Sequence, residues 1–296
     1  MTFVFAVFSS ALFGVGVALQ QRPARSAGSG LAGRPTILLL LVRRPAWLAG
    51  IVAEMAGFSL QVLALRTGSL VVVQPVITVS LLFTIGLAAL WSDSPISPIE
   101  WASVGAVVVG LSLFLVVAQP RTTGGANASL AAWLGSLLAL GGAVVVLAVA
   151  GLRRSGRSRA VLLGLAAGLA DAAMAVITKA FAHDIDRGIP HAVVSWTPYT
   201  LVGAGIVALT VSQSAYQSGW PTVSLPIITV ADPVVSSAVG VGLFGEVVHF
   251  NGATGLLAVA AIALMVTGLV LLSRSPHVVE STSAAPVAAP RASVEG

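Results

Sequence analysis

Residues 68–90 read GSLVVVQPVITVSLLFTIGLAAL, an apolar run without a single charged side chain. A helix needs about 20 mostly apolar residues to cross the hydrocarbon core of a bilayer. The run is apolar on all sides, whereas strands of a membrane barrel alternate apolar and polar residues over roughly ten positions. Gly68–Leu90 is therefore predicted to form a transmembrane α-helix.

Eight further stretches of the chain share this character. Of the 296 residues, 57% are hydrophobic and only 8% are charged, whereas a soluble domain carries roughly 25% charged residues. The sequence therefore predicts an all-α membrane protein with about nine transmembrane helices. The nine predicted spans are Phe3–Leu19, Trp47–Leu65, Gly68–Leu90, Trp101–Val117, Leu130–Ala150, Val161–Phe181, Val193–Val211, Thr222–Phe244 and Ala253–Leu272.

The arginines predict the orientation, because positively charged loops stay on the cytoplasmic side of a membrane. Most of them follow the first, fifth and ninth spans. We therefore expect a multi-pass protein of the cell membrane, with its N-terminus outside and its C-terminus in the cytoplasm. The arginines that follow these spans are Arg22, Arg25, Arg34, Arg43, Arg44, Arg153, Arg154, Arg157, Arg159 and Arg274.

Two segments outside the nine spans carry their own predictions. Thr36–Val42 is too short to span and is expected to lie at the membrane interface, with a half-inserted helix as the alternative. Residues 274–296 are rich in Ala, Pro, Ser and Val without a helical period. We expect them to form a disordered cytoplasmic tail.

The chain also repeats itself at an offset of 158 residues. Gln74-Pro75-Val76 corresponds to Asp232-Pro233-Val234, and Thr78 corresponds to Ser236. The dipeptide Gly-Leu at 110–111 recurs at 268–269. One offset thus relates several helices, which predicts two units built alike.

The number of helices decides how the two units are related. Residues 1–118 hold helices 1–4, residues 160–273 hold helices 6–9, and residues 119–159 hold the fifth helix and a basic loop. With five helices from the start of one unit to the start of the next, the second unit must cross the membrane in the opposite sense. Such inverted repeats are typical of secondary transporters.

The first repeat carries residues that resemble a known superfamily. After the opening GVGVALQQ at 14–21 come Trp47-Leu48-Ala49-Gly50, Gly57-Phe58, Ala64, Gln74-Pro75 and Gly110. This stretch resembles the drug/metabolite transporter superfamily, and within it the nine-helix NIPA-type proteins. The resemblance covers the chain up to the tail, and it implies paired inverted repeats around a central cavity.

The second repeat resembles a neighbouring branch of that superfamily. Pro233 followed by Gly245-Glu246 is similar to the Pro…Glu pattern of EamA-like repeats. The first repeat departs from this pattern, because Ala88 stands at the position equivalent to Glu246. A NIPA-like protein implies Mg²⁺ or another divalent cation as substrate, and an EamA-like protein implies metabolites or drugs.

Four charged side chains fall inside the nine predicted spans: Glu54, Asp171, Lys179 and Asp232. A charge at mid-bilayer costs about 2.5–3.5 kcal/mol on insertion scales, so such residues mark a cavity or a partner. Glu54, Asp171 and Asp232 are therefore predicted to line a polar site. Lys179 lies near the end of its helix and is expected to extend towards the membrane surface.

Polar side chains at helical spacing extend this site. Thr78 lies one turn from Gln74, Ser236 lies one turn from Asp232, and Gln61 shares a helix face with Glu54. Pro75 and Pro233 should kink their helices and free the carbonyl groups of Val71 and Thr229. The predicted substrate- or ion-binding residues are Asp232, Glu54, Asp171, Gln74, Thr78, Ser236 and Gln61, with Asp232 and Glu54 as the candidate metal ligands.

The predicted function is a secondary transporter that moves a small solute or ion by alternating access, with two substrate classes left open. Mg²⁺ is held by one or two carboxylates plus water. A proton-coupled exporter of small metabolites or drugs would use a carboxyl group as proton carrier. The alternatives from another class are a non-transporting membrane scaffold or an intramembrane enzyme.

Several classes of chemistry are disfavoured. The chain has no cysteine, which excludes disulfides and zinc–thiolate sites. No nucleophile and base occur at a recognisable spacing, so we do not expect an enzyme or a cofactor. The expected partners are the lipid bilayer and a small-molecule or cation substrate, without nucleic acid, while a homodimer stays open.

The motif Gly164-Leu-Ala-Ala-Gly168 predicts close helix packing.

Overall fold

The computed structural model describes residues 1–26, 43–91, 96–118, 121–122, 129–216, 218, 221–247 and 252–276. The predictions for Thr36–Val42 and for the tail beyond residue 276 lie outside these residues. In the described part of the chain the helices are α1 (Thr2–Ser26), α2 (Pro45–Thr67), α3 (Leu70–Ile77), α4 (Ser80–Trp91), α5 (Pro98–Ala118), α6 (Leu130–Leu152), α7 (Gly156–Asp186), α8 (Ile189–Val194), α9 (Thr197–Tyr216), α10 (Pro221–Phe244) and α11 (Gly252–Ser273).

The protein is all-α, with a single two-stranded pairing among the described residues. Strand β1 (Arg121–Thr122) pairs antiparallel with β2 (Glu246–Val247). Eight segments of these described residues are long and apolar enough to cross a membrane. The predicted all-α membrane class is therefore supported, whereas the predicted count of nine is not reached by length and composition alone.

The difference lies in the predicted span Val193–Val211. The structure ends α8 at Val194 and begins α9 at Thr197. Pro198 favours this break, because a proline restricts the backbone of the preceding residue and suits the first turn of a helix. The apolar part of α9, Thr197–Ser212, falls short of the length of the other eight segments.

The predicted span Gly68–Leu90 is also divided. Helix α3 ends at Ile77, and α4 begins at Ser80. At this turn the backbone N–H of Val79 donates to the carbonyl oxygen of Val76 at 3.1 Å, three residues back instead of four. Pro75 precedes the turn by one helical turn, and a proline inside a helix removes a donor and crowds the preceding turn.

Contacts between helix ends identify the two ends of the bundle. At one end the hydroxyl groups of Thr2 and Thr67 lie 2.8 Å apart, and Arg66 pairs with Asp186. At the other end Ser275, which follows α11, contacts the carboxylate of Glu100 at the start of α5. We call these the Thr2 end and the Glu100 end.

Glycines set the closest approaches between helices. Gly164 and Gly168 on α7 face Ser224 and Ala231 on α10, and a Cβ atom added at Gly168 would lie 2.6 Å from the Cβ of Ala231. The prediction that these two glycines form a packing seam is confirmed. The later glycine meets the later residue of α10, so α7 and α10 run parallel.

Helices α5 and α11 make a second close contact, which is antiparallel. A Cβ atom on Gly110 would lie 2.6 Å from the backbone nitrogen of Met265 and 2.7 Å from the carbonyl oxygen of Ala261. A Cβ atom on Gly268 would lie 2.7 Å from the carbonyl oxygen of Ser103 and 2.9 Å from the nitrogen of Val107. Backbone meets backbone at both glycines, so neither site has room for a side chain.

Gly110→Ala is expected to destabilise the protein, because the new methyl group would overlap the backbone of α11. Overpacking of this kind costs about 1–3 kcal/mol. The measurement is the thermal unfolding midpoint of the purified protein in detergent. Gly105→Ala on the same helix is the control, since a Cβ atom there meets nothing within 4 Å. Equal midpoints for the two variants would contradict the tight α5–α11 contact.

Candidate functional site

The three carboxylates predicted to line the site lie at similar depth in the bundle. A helix rises about 1.5 Å per residue, which places Glu54 about 18 Å from Arg66 along α2. The same rise places Asp171 about 22 Å from Asp186 along α7. It places Asp232 about 18 Å from the end of α10. All three distances are measured from the Thr2 end and fall within a hydrocarbon core of about 30 Å.

Asp171 and Asp232 are brought together by the parallel packing of α7 and α10. Gly168 lies one turn before Asp171, and it approaches the backbone of Ile228, which lies one turn before Asp232. The carboxyl group of Asp232 lies within electrostatic range of Asp171. The structure thus places two acidic residues on neighbouring helices at mid-depth.

Two polar atoms in this region make no hydrogen bond to the described part of the chain. They are Nε2 of Gln74 and Oδ1 of Asp232, and both atoms are fully buried. Gln74 as a whole is 1% exposed. Most buried polar groups in proteins have a partner. The two atoms belong to positions that correspond under the 158-residue offset, and each directly precedes a proline.

The hydroxyl groups predicted for the site bind backbone carbonyls instead. The hydroxyl of Thr78 donates to the carbonyl oxygen of Pro75 at 2.6 Å. The hydroxyl of Ser236 donates to the carbonyl oxygen of Asp232 at 2.7 Å. These bonds occupy oxygens beside Pro75 and Pro233, so the two hydroxyl groups stabilise the helices where the prolines disturb them.

Glu54 and Gln61 lie on α2, which is not one of the two helices of the α7–α10 contact. A Cβ atom added at Gly16 of α1 would lie 2.5 Å from Cγ of Glu54, so Glu54 packs at the α1–α2 interface. Gln61 is 8% exposed. In the part of the chain that the structure describes, no three His, Asp or Glu side chains gather as a metal site. A metal held by Asp232 and Glu54 stays a prediction.

A shallow open groove lies between α6 and α10 and has a volume of about 440 Å³. Its walls are mainly apolar, and it contains none of the predicted site residues. It is lined by Ser136, Val234, Val235, Ala238, Val239, Gly242 and Leu243.

Lys179 does not extend to the membrane surface, so that prediction is wrong. The residue is 7% exposed. Its Nζ donates to Oε1 of Glu246 at 2.7 Å and to the carbonyl oxygen of Gly68 at 2.7 Å. It also lies 5.3 Å from the ring centroid of Phe244. The ammonium group remains inside because a carboxylate and a carbonyl replace its water.

Glu246 is the centre of this network. Its side chain is completely buried. Oε1 accepts the backbone N–H of Leu70 at 2.7 Å, and Oε2 accepts that of Val71 at 3.0 Å. These are among the N–H groups that a helix leaves without internal partners at its first turn. The carboxylate therefore neutralises Lys179 and caps α3 at the same time, and Ser69 caps Val72 beside it at 3.2 Å.

The sequence held only a weak signal for this pair. Lys179 is the one lysine of the chain, and Glu246 follows Gly245 just beyond a predicted span. The two are 67 residues apart, so no local spacing relates them. Only the parallel approach of α7 and α10, which brings the ends of these helices together, makes them neighbours.

Glu246→Ala is expected to lower the free energy of unfolding by about 3–5 kcal/mol, because it leaves a buried ammonium group without a partner. Asp186→Ala is the matched control. It breaks the Arg66–Asp186 pair, whose side chains are 35% and 39% exposed, and exposed pairs contribute about 0–1 kcal/mol. Unfolding in mixed micelles with increasing denaturing detergent measures both. Similar losses for the two variants would contradict the role assigned to Glu246.

No protein-family model and no solved structure matches this chain. An uncharacterized protein of Corynebacterium glutamicum is 30% identical over 281 residues, which cover 92% of this chain and 94% of that protein. The alignment spans the helical bundle almost from end to end, and the chain belongs to the same protein family as this corynebacterial protein.

Proposed function

We propose that the chain is a secondary transporter of the drug/metabolite transporter type, which moves a small solute or ion by alternating access between two inverted repeats. The proposal comprises a first repeat in α1–α5, a second repeat in α7–α11, and α6 as the linking helix. Under it, α9 is the ninth pass. Its 20 residues correspond to a length of about 30 Å.

The α5–α11 contact is the observation that carries the proposal. Gly110 meets Ala261 and Met265, and Gly268 meets Ser103 and Val107. The 158-residue offset relates the two sets. Adding 158 to position 110 gives 268, and subtracting 158 from positions 261 and 265 gives 103 and 107. A contact that maps onto itself in this way is what a two-fold axis produces. Because the two helices run antiparallel, such an axis would lie in the membrane plane, as inverted repeats require.

The third membrane passes of the two proposed repeats, α3–α4 and α10, also meet. Leu70 of α3 lies against Gly240 of α10, where an added Cβ atom would be 3.1 Å from the Cβ of Leu70. Gln74 lies one turn further along α3, on the same face as Leu70. Gln74 and Asp232 thus lie on the two helices that form this contact between repeats, and we propose that their unpartnered atoms bind the solute when the site opens.

The acidic pair indicates the charge of that solute. Two ionised carboxylates at Asp171 and Asp232 would repel each other, and a bound cation or a proton held by one of them would relieve this repulsion. A divalent cation fits the NIPA-like alternative, and a proton fits the EamA-like alternative. The described residues offer no third His, Asp or Glu beside these two carboxylates, an arrangement that suits a hydrated ion or a proton better than a fully coordinated metal.

Nine passes would put the two chain ends on opposite sides of the membrane. The structure has Thr2 at one end of the bundle and Ser275 at the other. Arg153 and Arg154 lie in the turn between α6 and α7, at the Glu100 end. The preference of arginine for the cytoplasmic side supports a cytoplasmic Glu100 end and an external Thr2 end.

Asp232→Asn and Asp171→Asn are expected to reduce flux in proteoliposomes by about tenfold or more, because a hydrogen bond to a charged group contributes about 1.5–3 kcal/mol. Flux of Mg²⁺, of protons and of a metabolite panel is measured with each variant. Asp186→Asn, which alters an exposed carboxylate at the Thr2 end, is the control and should leave flux unchanged.

The same assay separates the two substrate classes. Flux that depends on Mg²⁺ and is lost in Asp232→Asn supports the cation alternative. Organic flux that follows the pH gradient, and loses this dependence in either variant, supports the proton-coupled exporter. Wild-type vesicles that move none of these solutes would contradict the proposed function.

A further inference from the structure

The contacts of Glu246 join three separate segments of the chain at the Thr2 end. Gly68 belongs to the turn between α2 and α3, which leads directly into Leu70 and Val71 at the start of α3. Lys179 belongs to α7, and Glu246 follows α10. The turn is part of the first proposed repeat, and the other two segments are part of the second. One buried carboxylate therefore bonds to both proposed repeats at this end.

We infer that the Lys179–Glu246 contact is the gate that closes the Thr2 end of the pathway and that it separates when this end opens. The inference rests on the proposed function, because a gate requires a pathway. In the structure the gate is closed.

The geometry leaves α3 little freedom while the contact is intact. A Cβ atom on Gly240 would lie 2.6 Å from Oε2 of Glu246 and 3.1 Å from the Cβ of Leu70. The carboxylate thus fills the space between α10 and the first turn of α3. Helix α3 cannot move away from α10 without breaking the bonds from Leu70 and Val71 to Glu246.

The turn at Thr78–Val79 lets α3 move separately from α4. Helix α3 has eight residues and ends at this turn, while α4 packs along α1, where the hydroxyl of Thr84 donates to the carbonyl oxygen of Gly14 at 3.2 Å. Short hinges at the ends of helices commonly absorb such motions. Release of Glu246 would therefore free a short helix instead of the whole bundle.

Further polar contacts lie at the same end of the bundle as the gate. Thr122 pairs with Glu246 in the β1–β2 ladder, and Arg121 pairs with Val247. Arg66 and Asp186 form an exposed ion pair nearby, with Nη2 of Arg66 2.5 Å from Oδ1 of Asp186. The buried pair is thus the inner closure, and the exposed pair lies at its rim.

The absence of cysteine from the chain allows a direct test, because a single introduced thiol is the only one. Val73→Cys places a thiol on α3 at a position that is fully buried below the gate. Its rate of reaction with a membrane-impermeant maleimide, added from the Thr2 side of oriented vesicles, reports opening of this end. The rate is measured in the Val73→Cys variant alone and in double variants that also carry Glu246→Gln or Lys179→Gln.

Both gate variants are expected to raise the reaction rate at position 73 by at least about tenfold, the factor that about 1.4 kcal/mol produces in an equilibrium constant. Lys179→Arg keeps the charge pair and should restore a slow rate. Asp186→Asn, which removes the exposed pair at the rim, is the matched control and should leave the rate unchanged.

A second reporter distinguishes opening from unfolding. Ile85→Cys lies on α4 and is 1% exposed, in a cluster with Leu225 and Leu272. Its reaction from the Thr2 side should stay slow in every gate variant. An unchanged rate at position 73, or equal increases at positions 73 and 85, would overturn the gate and leave the pair a structural contact.

The readout needs no substrate, so it fails separately from the proposed function. If thiol exposure depends on Glu246 in vesicles that transport none of the solutes tried, the result supports the opening motion and contradicts the proposed transport function. If the vesicles transport a solute but the maleimide reaction rate at position 73 does not respond to substitution of Glu246 or Lys179, the result supports the transport function and contradicts the gate.

Discussion

The packing of the Thr2 end of the bundle depends on the contacts that the Glu246 carboxylate makes. A helix end buried among other helices has no water to satisfy its first N–H groups, and a buried ammonium group has none to solvate its charge. Glu246 meets both needs with two oxygens, bonding Leu70, Val71 and Lys179. Three segments that are distant in sequence are therefore fixed relative to one another.

Buried polar groups in this protein fall into two kinds. Those at the Thr2 end are satisfied: Lys179 and Glu246 bond each other, and both also bond backbone groups. Two groups at mid-depth are not, since Gln74 and Asp232 each keep a buried atom without a partner among the described residues. An unsatisfied buried group costs about 1–3 kcal/mol, so its retention at two corresponding positions fits a site that a solute completes.

The sequence predicted most helices well, because hydropathy is a local property of the chain. The predicted span Ala253–Leu272 differs from α11 by one residue at each end. The sequence did not predict the breaks at Thr78–Val79 and Ser195–Trp196, because both runs remain apolar across the break. The turn chemistry of Pro75 and Pro198 decides these positions, and summed hydropathy does not register it.

The candidate site was predicted in part, for a related reason. The rarity of charge in apolar helices identified Asp171 and Asp232, and the structure brings them together. The same reasoning gave the wrong environment for Lys179, because the position of a lysine within its own helix says nothing about a carboxylate 67 residues away. Pairing of polar groups is a tertiary property, and it followed only from the packing of α7 against α10.

The two proposed repeats differ in the contacts that close the two ends of the bundle. The second repeat has Glu246, whereas the first has Ala88 at the corresponding position. At the Glu100 end, Glu100 accepts the N–H of Ser97 at 2.7 Å in a capping box and contacts Ser275. Under the proposed function, the two ends therefore close through different contacts, a buried ion pair at one end and a capping carboxylate at the other. Exact symmetry would make the two closed states equal in free energy. The asymmetry instead lets one state be preferred in the absence of solute, and a solute shifts this balance only by the difference in its affinity for the two states.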